Sequence, residues 1–210
     1  MKLWPLLLLA CLAACGDDSS GPSRAIDREF AFDDPVGDTA LFAGSVDSFP
    51  ALDVRRVSGA AGADSLIFTM EFVGAVARAN NTTPTSLVAT IAVDSDDDST
   101  TGLPLDDDSA GGSFSFTGPF PARTGVGAEY FVFVDSISGS NAEVYSILTD
   151  ESVAIFPMTY NESTVTMRIP VAALGIRAGE RFRVVGVVGN TQRLTDIIPD
   201  EGSYEVGGSS

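Results

Sequence analysis

The chain contains no histidine, one lysine (Lys2) and two cysteines (Cys11 and Cys15) among its 210 residues. Without His, and without Lys beyond residue 2, the common pairs of a nucleophile with its general base are absent. Two carboxylates could support glycoside hydrolysis, but the acids cluster in short Asp-rich turns. Such turns are typical of cation binding and not of an active-site cleft, in which the acids are isolated. We therefore predict no catalytic residues and no enzymatic activity.

Positive charge is also scarce, since 12 Lys and Arg stand against 29 Asp and Glu, for a formal net charge of −17. Such a surface repels nucleic acid and anionic lipid, and it attracts cations. Nucleic acid is therefore excluded as a partner.

The apolar run at the start is too short to cross a membrane. It covers the twelve residues 3–14 after Met1-Lys2, whereas a bilayer core of ~30 Å needs about 20 residues, so the run is typical of a signal peptide. Leu12-Ala13-Ala14-Cys15 resembles the lipobox of bacterial lipoproteins, in which the Cys sulfur is acylated and the preceding peptide is removed. The alternative is an ordinary secretory signal that happens to contain a Cys.

On the lipoprotein interpretation, residues 1–14 are the signal peptide, Cys15 is the lipidation site, and residues 15–25 form a flexible Gly/Ser-rich tether. Loss of the signal would leave 196 residues with a formal charge of −18 and no disulfide. Gly16 resembles the residue that follows the lipidated Cys in lipoproteins sorted to the outer membrane. The expected location is the cell envelope, at the outer membrane, with the membrane as a partner through the lipid.

Hydrophobic periodicity predicts an all-β fold. Residues 164–169 and 65–73 alternate apolar with polar side chains, as half-buried strands do. Other short segments rich in β-branched and aromatic residues predict further strands: 26–32, 52–58, 86–93, 113–116, 129–134, 143–148, 152–156 and 182–188. Residues 171–174, between a Pro and a Gly, predict one helical turn. We predict an antiparallel two-sheet β-sandwich, jelly-roll-like, as a single domain over residues 26–206 with a flexible tail at 207–210.

The acidic loop after one predicted strand suggests a cation site. Asp94, Asp96 and Asp98 alternate along the chain, and their carboxylates can converge on a calcium ion, which accepts six to eight oxygen ligands. The loop is not an EF-hand, because Ser99 and Leu105 replace the Gly and the bidentate Glu that an EF-hand needs. A solvated acidic hairpin remains the alternative.

Several short motifs, in order, resemble those of DOMON-like and family 9 carbohydrate-binding-module-like β-sandwiches over residues 26–206. They are Asp34-Pro35-Val36-Gly37-Asp38, Asp53, Asp94-Ser95-Asp96 with Thr101-Gly102, Ile169-Pro170 with Leu174-Gly175, and residues 196–202 from Asp196 to Gly202. The resemblance implies a jelly-roll-like sandwich with structural calcium, in a family of which some members bind sugar or haem. It also implies one acidic site at Asp34, Asp38 and Asp53, with Asp196 and Asp200 packed beside it.

The chain departs from the sugar-binding members in its aromatic residues. Those members stack Trp or Tyr rings on the sugar, whereas the only tryptophan here is Trp4 in the predicted signal, and of the four tyrosines only Tyr160 and Tyr204 lie near predicted loops. Haem is disfavoured by the lack of His. The expected function is a calcium-stabilised, non-catalytic binding module with carbohydrate as its candidate ligand. The alternative is a structural or adhesion domain that contacts other envelope proteins.

Overall fold

The computed structural model describes residues 28–39, 52–78, 83, 85–105, 124–135, 139–177, 180–190 and 194–207. The predicted signal peptide, Cys15, the tether and the predicted strand 113–116 lie outside these residues. Thirteen strands are present in the described part of the chain: β1 (Arg28–Asp33), β2 (Val54–Ala61), β3 (Ser65–Phe72), β4 (Val88–Asp94), β5 (Leu103–Pro104), β6 (Gly127–Ala128), β7 (Tyr130–Asp135), β8 (Asn141–Ser146), β9 (Glu151–Asn161), β10 (Thr164–Pro170), β11 (Phe182–Gly189), β12 (Leu194–Ile198) and β13 (Tyr204–Val206).

One large antiparallel sheet contains all of these strands except β5 and β6. Its order is β1-β2-β3-β10-β9-β8-β7-β4-β11-β12, with β13 also paired to β11. The long strand β9 joins two halves, because its first part pairs with β8 and its last residues pair with β10. The sheet curls so that the two halves face each other, which confirms the predicted all-β, antiparallel, sandwich-like class.

The main hydrophobic core lies between the two halves. Along β3 every second side chain is buried, and Leu66, Phe68, Met70 and Phe72 pack in the same cluster as residues of β4, β7, β8 and β11 on the opposite half. The alternation of apolar and polar residues in the sequence therefore gives the inward and outward faces of these strands.

A second, smaller cluster lies on the outer face of β4, β7 and β11, where the two-stranded sheet of β5 and β6 covers it. Its buried members are Ala92, Leu105, Val126, Ala128, Phe131 and Val185. This cover explains why β11 is buried on both faces, as the continuous apolar run 184–188 predicts for a central strand. The strand β4 is also buried on both faces, whereas in β7, which contains the apolar run 130–134, Tyr130 and Phe133 are only half-buried.

The boundaries of several elements differ from the prediction. The predicted strand 152–156 continues as β9 to Asn161, although Pro157 cannot donate a backbone hydrogen bond. Pro157 is tolerated because it lies opposite Asn141 at the end of the pairing with β8. From Met158 onward, β9 pairs with β10. The short strands β12 and β13 were not predicted, whereas the helical turn Val171–Leu174 is present and ends at Gly175 with a left-handed φ of 64°. The described residues include no helix that is long and apolar enough to span a membrane.

Candidate metal centre

The first acidic cluster is assembled from both ends of the domain. Asp34 and Asp38 belong to the turn after β1, Asp53 immediately precedes β2, and Asp196 lies on β12. Asp34, Asp38 and Asp196 each place a carboxylate oxygen within 4.8 Å of the others. Three of the residues predicted for this site are therefore brought together, across more than 150 positions of sequence.

Backbone and side-chain hydrogen bonds hold the elements of the cluster in place. The backbone N–H of Gly37 donates to Oδ2 of Asp53 at 2.9 Å, which fastens the turn to the start of β2. Oδ2 of Asp196 accepts the N–H of Val54 at 2.6 Å, and Oγ1 of Thr195 donates to the Leu52 carbonyl at 2.6 Å. Because β12 is fixed to the start of β2 at two adjacent positions, the Asp196 carboxylate is held beside Asp34 and Asp38.

Four carboxylate oxygens in the cluster are buried and accept no hydrogen bond. They are Oδ2 of Asp34, both side-chain oxygens of Asp38, and Oδ1 of Asp53. Asp34 itself is only 5% exposed, and its other oxygen accepts the Tyr204 hydroxyl at 2.7 Å. Leaving a buried polar group without a partner costs about 1–3 kcal/mol, and more when the group is charged.

The surroundings of the cluster disfavour the ionised form of its carboxyl groups. Burial, with the nearby charges of Asp38, Asp200 and Asp53, raises the pKa of Asp34 to about 6, although the Tyr204 hydrogen bond opposes this shift. Burial raises the pKa of Asp196 to about 8, aided by the charges of Asp34 and Asp38. The pKa of Asp38 is raised by burial and then by the facing Asp200 carboxylate. A cation bound among these oxygens would favour the ionised carboxylates and so lower each of these pKa values.

Tyr204 is part of this cluster and not an exposed platform. It is 8% exposed, and its ring stacks on Phe32 at a centroid distance of 4.5 Å. Its hydroxyl donates to Asp34, and burial together with that bond raises the pKa of the phenol. Tyr160, the other tyrosine near a predicted loop, is half-buried and packs against the main core.

The second acidic cluster lies at the opposite end of the sheet. Asp94, the last residue of β4, pairs with Arg183 on β11, whereas Asp196 pairs with Val188. Five residues along a strand span about 17 Å at ~3.4 Å per residue. The two clusters are therefore separate sites.

In the second cluster the carboxylates already have donors. Asp94 is fully buried and accepts the N–H of Asp98 at 3.2 Å and that of Gly127 at 3.4 Å. Glu129 accepts the N–H of Ser95 at 2.8 Å through one oxygen and the Thr101 hydroxyl at 2.6 Å through the other. Burial and the charge of Glu129 raise the pKa of Asp94 to about 6.

The membership of this cluster differs from the sequence prediction. Asp94 and Asp96 group with Glu129, each placing one oxygen within 4.8 Å of the others. Asp98 is exposed and instead accepts the N–H and hydroxyl of Thr100, which lower its pKa. Glu129 was assigned only to a strand, although a single acid in the apolar run 126–134 is a signal that could have identified it.

The remaining acid of the loop, Asp97, neutralises two arginines. Its backbone has a left-handed φ of 59°, and its carboxylate lies 2.5 Å from Nε of Arg183 and 2.9 Å from Arg181. The loop is therefore fastened to β11 by charge as well as by its own hydrogen bonds.

Compared with protein-family models, curated proteins and solved structures, the chain gives no significant match.

Proposed function

We propose that this chain is a non-catalytic β-sandwich module of the cell envelope, stabilised by calcium at the Asp34 cluster and held to a membrane by lipid on Cys15. The observation that carries the calcium proposal is the set of four buried carboxylate oxygens, on Asp34, Asp38 and Asp53, that accept no hydrogen bond. A bound cation would supply the positive partner that these oxygens lack.

The donor chemistry favours calcium over other common cations. Every candidate ligand is a carboxylate oxygen, and the chain has no His to offer the nitrogen that zinc, copper and nickel prefer. Magnesium demands a near-ideal octahedron and keeps several waters, whereas calcium accepts six to eight oxygens in flexible geometry. Asp38, with two buried oxygens that accept no hydrogen bond, offers a bidentate ligand of the kind that calcium accepts.

The position of the cluster suggests a structural role for the ion. Its ligands follow β1, precede β2 and lie on and after β12, so an ion bound there would connect β1 and β12, the two ends of the strand order of the large sheet. Among the described strands, β1 pairs only with β2, and β12 pairs only with β11. Calcium would therefore stabilise the parts of the sheet that are held least well by pairing.

Terbium luminescence tests the site directly, because Tb³⁺ replaces calcium and is sensitised by a nearby tyrosine. We expect terbium bound at Asp34 to emit when tyrosine is excited, and calcium to compete the signal away. Tyr204→Phe should remove most of this emission, and Asp38→Asn/Asp53→Asn should abolish binding at the site. Tyr145→Phe, far from the cluster, is the matched control and should leave the emission intact. Emission that survives both Tyr204→Phe and the double variant would place the ion elsewhere.

The lipid anchor has an independent test. Metabolic labelling with palmitate should label the wild-type chain and the Cys11→Ser variant, and it should not label Cys15→Ser. The pair is well matched because the two cysteines lie four positions apart and only Cys15 ends the lipobox-like motif. Equal label in both variants would eliminate the lipoprotein proposal and leave the calcium proposal unaffected.

A carbohydrate ligand receives no support from the tyrosines predicted near loops. Tyr204 is hydrogen-bonded inside the acidic cluster, and Tyr160 packs against the core, so neither ring is presented for stacking on a sugar. The proposed function is therefore that of a stabilised envelope module, without a carbohydrate ligand assigned to it.

A further inference from the structure

The two ends of the large sheet meet along a boundary that is closed by side chains. The strand β1 pairs along its whole length with β2, whereas β12 and β13 pair with β11. Among the described strands, no backbone pairing joins β1 to β12 or to β13. We call the boundary between residues 28–38, which include β1 and the turn after it, and residues 194–207 the seam.

Contacts cross the seam at both ends of β1. Near the start of the strand, a Cβ added at Gly207 would lie 2.5 Å from Nη1 of Arg28, so the two residues are closely packed. Near its end, the ring of Phe32 stacks on that of Tyr204 at a centroid distance of 4.5 Å. The Tyr204 hydroxyl also donates to Asp34. Side chains therefore hold β1 against β13 where backbone pairing does not.

The strand β1 is less buried than the strand it faces at the acidic end of the seam. None of its six residues is buried, and its inward side chains Phe30 and Phe32 are half-buried against the main core. On β12, by contrast, Thr195, Asp196 and Ile198 are each at most 2% exposed. Local opening begins with segments that have few buried apolar contacts. We therefore expect β1, and not β12, to be the element that moves when the seam opens.

Carboxylates face each other across the seam at the end of β1. Asp34 and Asp38 follow β1, whereas Asp196 lies on β12, and one oxygen of each lies within 4.8 Å of the others. Without an ion, repulsion among these groups in their ionised form disfavours closure of the seam. An ion bound among them would remove the repulsion and would add a ligand bond on each side. Closure at this end therefore depends on the ion.

We infer that residues 28–38 form a calcium-controlled clasp, which is closed onto β12 and β13 when the ion is bound and opens when it is removed. The rest of the sandwich stays folded in both states. The inference rests on the proposed calcium site, and it identifies the part of the molecule that the ion regulates. Opening of the clasp exposes Phe30, Phe32 and the edge of β2.

Hydrogen exchange followed by mass spectrometry tests the inference on the purified full chain. The samples contain calcium, EDTA, or EDTA with NaCl at the ionic strength of the calcium sample. We expect peptides from residues 28–38 to exchange at least about tenfold faster in EDTA than in calcium, and peptides from β3 and β7 to change less than about twofold. Equal exchange of β1 in calcium and EDTA would overturn the proposal, and so would protection by NaCl as complete as that by calcium. Faster exchange at β12 than at β1, or equal acceleration at β3, would also overturn it.

Two double variants remove the same charge from the two acidic clusters. With Asp38→Asn/Asp53→Asn, β1 should exchange at the same rate in calcium and in EDTA, because the ion no longer binds at the seam. The matched control Asp94→Asn/Asp96→Asn should keep the full difference between the two conditions. If the control loses the calcium dependence and the Asp38 variant keeps it, the ion does not act at the seam and the clasp is wrong.

A pair of glycine variants tests the seam without changing any carboxylate. Gly207 and Gly202 both have a left-handed φ, of 95° and 73°, but a Cβ at Gly207 would lie against Arg28 whereas one at Gly202 would meet no atom within 4 Å. Gly207→Ala should therefore accelerate exchange of β1 several-fold in calcium, and Gly202→Ala should leave it unchanged. Equal exchange of β1 in the two variants would show that β1 is not held against the end of β13.

Terbium luminescence on the same samples separates failure of the clasp from failure of the calcium site. If calcium displaces terbium from the Asp34 cluster and β1 exchanges equally with and without calcium, the site stands and the clasp is wrong. If terbium does not bind at the cluster, the calcium proposal fails and the clasp fails with it.

Discussion

Asp34 and Asp94 are both buried aspartates at the end of a strand, and burial raises the pKa of each to about 6. They differ in what surrounds their oxygens. Asp94 accepts backbone N–H groups through both oxygens, from Asp98 in its own loop and from Gly127. Asp34 accepts one hydroxyl and leaves its second oxygen buried without a donor. The difference is therefore in the number of backbone N–H groups that point at each carboxylate, two for Asp94, whereas Asp34 accepts only the Tyr204 hydroxyl among the described residues.

A run of acids in the sequence therefore does not reveal which carboxylate oxygens are buried without a hydrogen-bond donor. The Asp94 loop has the more conspicuous pattern, but its hydrogen bonds already stabilise it without an ion. The Asp34 cluster is dispersed along the chain, yet it contains the four oxygens that need a partner. We expect calcium to matter more at the dispersed cluster.

The largest difference expected between the two regions concerns their packing. A Cβ added at Gly127, beside the Asp94 loop, would lie 2.1 Å from the Thr101 carbonyl oxygen, whereas one at Gly202, beside Asp200, would meet no atom within 4 Å. Gly127→Ala should lower the free energy of unfolding by about 3 kcal/mol through overpacking. Gly202→Ala should cost about 1 kcal/mol, from its left-handed φ of 73° alone. Urea denaturation in EDTA measures both, and equal losses would show that the Asp94 loop is not closely packed.

Calcium should stabilise the domain chiefly through the Asp34 cluster. At a hundredfold excess over its Kd, an ion that binds only the folded state adds about 2.7 kcal/mol to the free energy of unfolding. Thermal melts with calcium, with EDTA, and with NaCl at matched ionic strength separate this effect from general screening. Asp38→Asn/Asp53→Asn should lose most of the calcium-specific increase, and Asp94→Asn/Asp96→Asn should keep most of it. The reverse result would show that the main calcium site is at the Asp94 loop.

In EDTA, the stability of the domain should fall as the pH rises from 6 to 8. Asp196 has a folded pKa of about 8 against an ordinary value of 3.8, so across this range the folded state holds a proton that the unfolded state has released. Stability therefore decreases with pH, by about 2 kcal/mol over these two pH units if Asp196 accounts for most of the effect. Asp196→Asn should flatten the profile above pH 6, whereas Asp94→Asn should alter it only below about pH 6. A stability that rises toward pH 8 in EDTA would contradict the burial of an ionisable Asp196.

The smallest effect is expected at Asp98. Its side chain is exposed and accepts hydrogen bonds only from Thr100, so Asp98→Ala should cost about 0.5–1 kcal/mol and leave calcium affinity unchanged. Glu129→Gln is the informative comparison, because Glu129 lies within the second cluster. Isothermal titration with calcium measures the affinity of both variants. A loss of affinity in Asp98→Ala would show that Asp98 is a calcium ligand.

The local features of the fold could be predicted from the sequence. The alternation in β3 and β10, the apolar runs of β7 and β11, and the turn at residues 171–174 all depend on neighbours a few positions apart. The short strands β12 and β13 could not be predicted in the same way, because they are strands only through their pairing with β11.

For the candidate site, the sequence by itself determined the kind of ligand, since a chain with many carboxylates and no His can offer a cation only oxygen. The resemblance to known sandwiches identified Asp34, Asp38 and Asp196 as candidates, but only the tertiary structure decided which oxygens converge and which have donors. It brought Glu129 into the second cluster, left Asp98 in solvent, and placed Tyr204 on Asp34. The physical reason is that periodicity is a property of adjacent residues, whereas the distance between two carboxylates depends on strand order and register across the whole sheet.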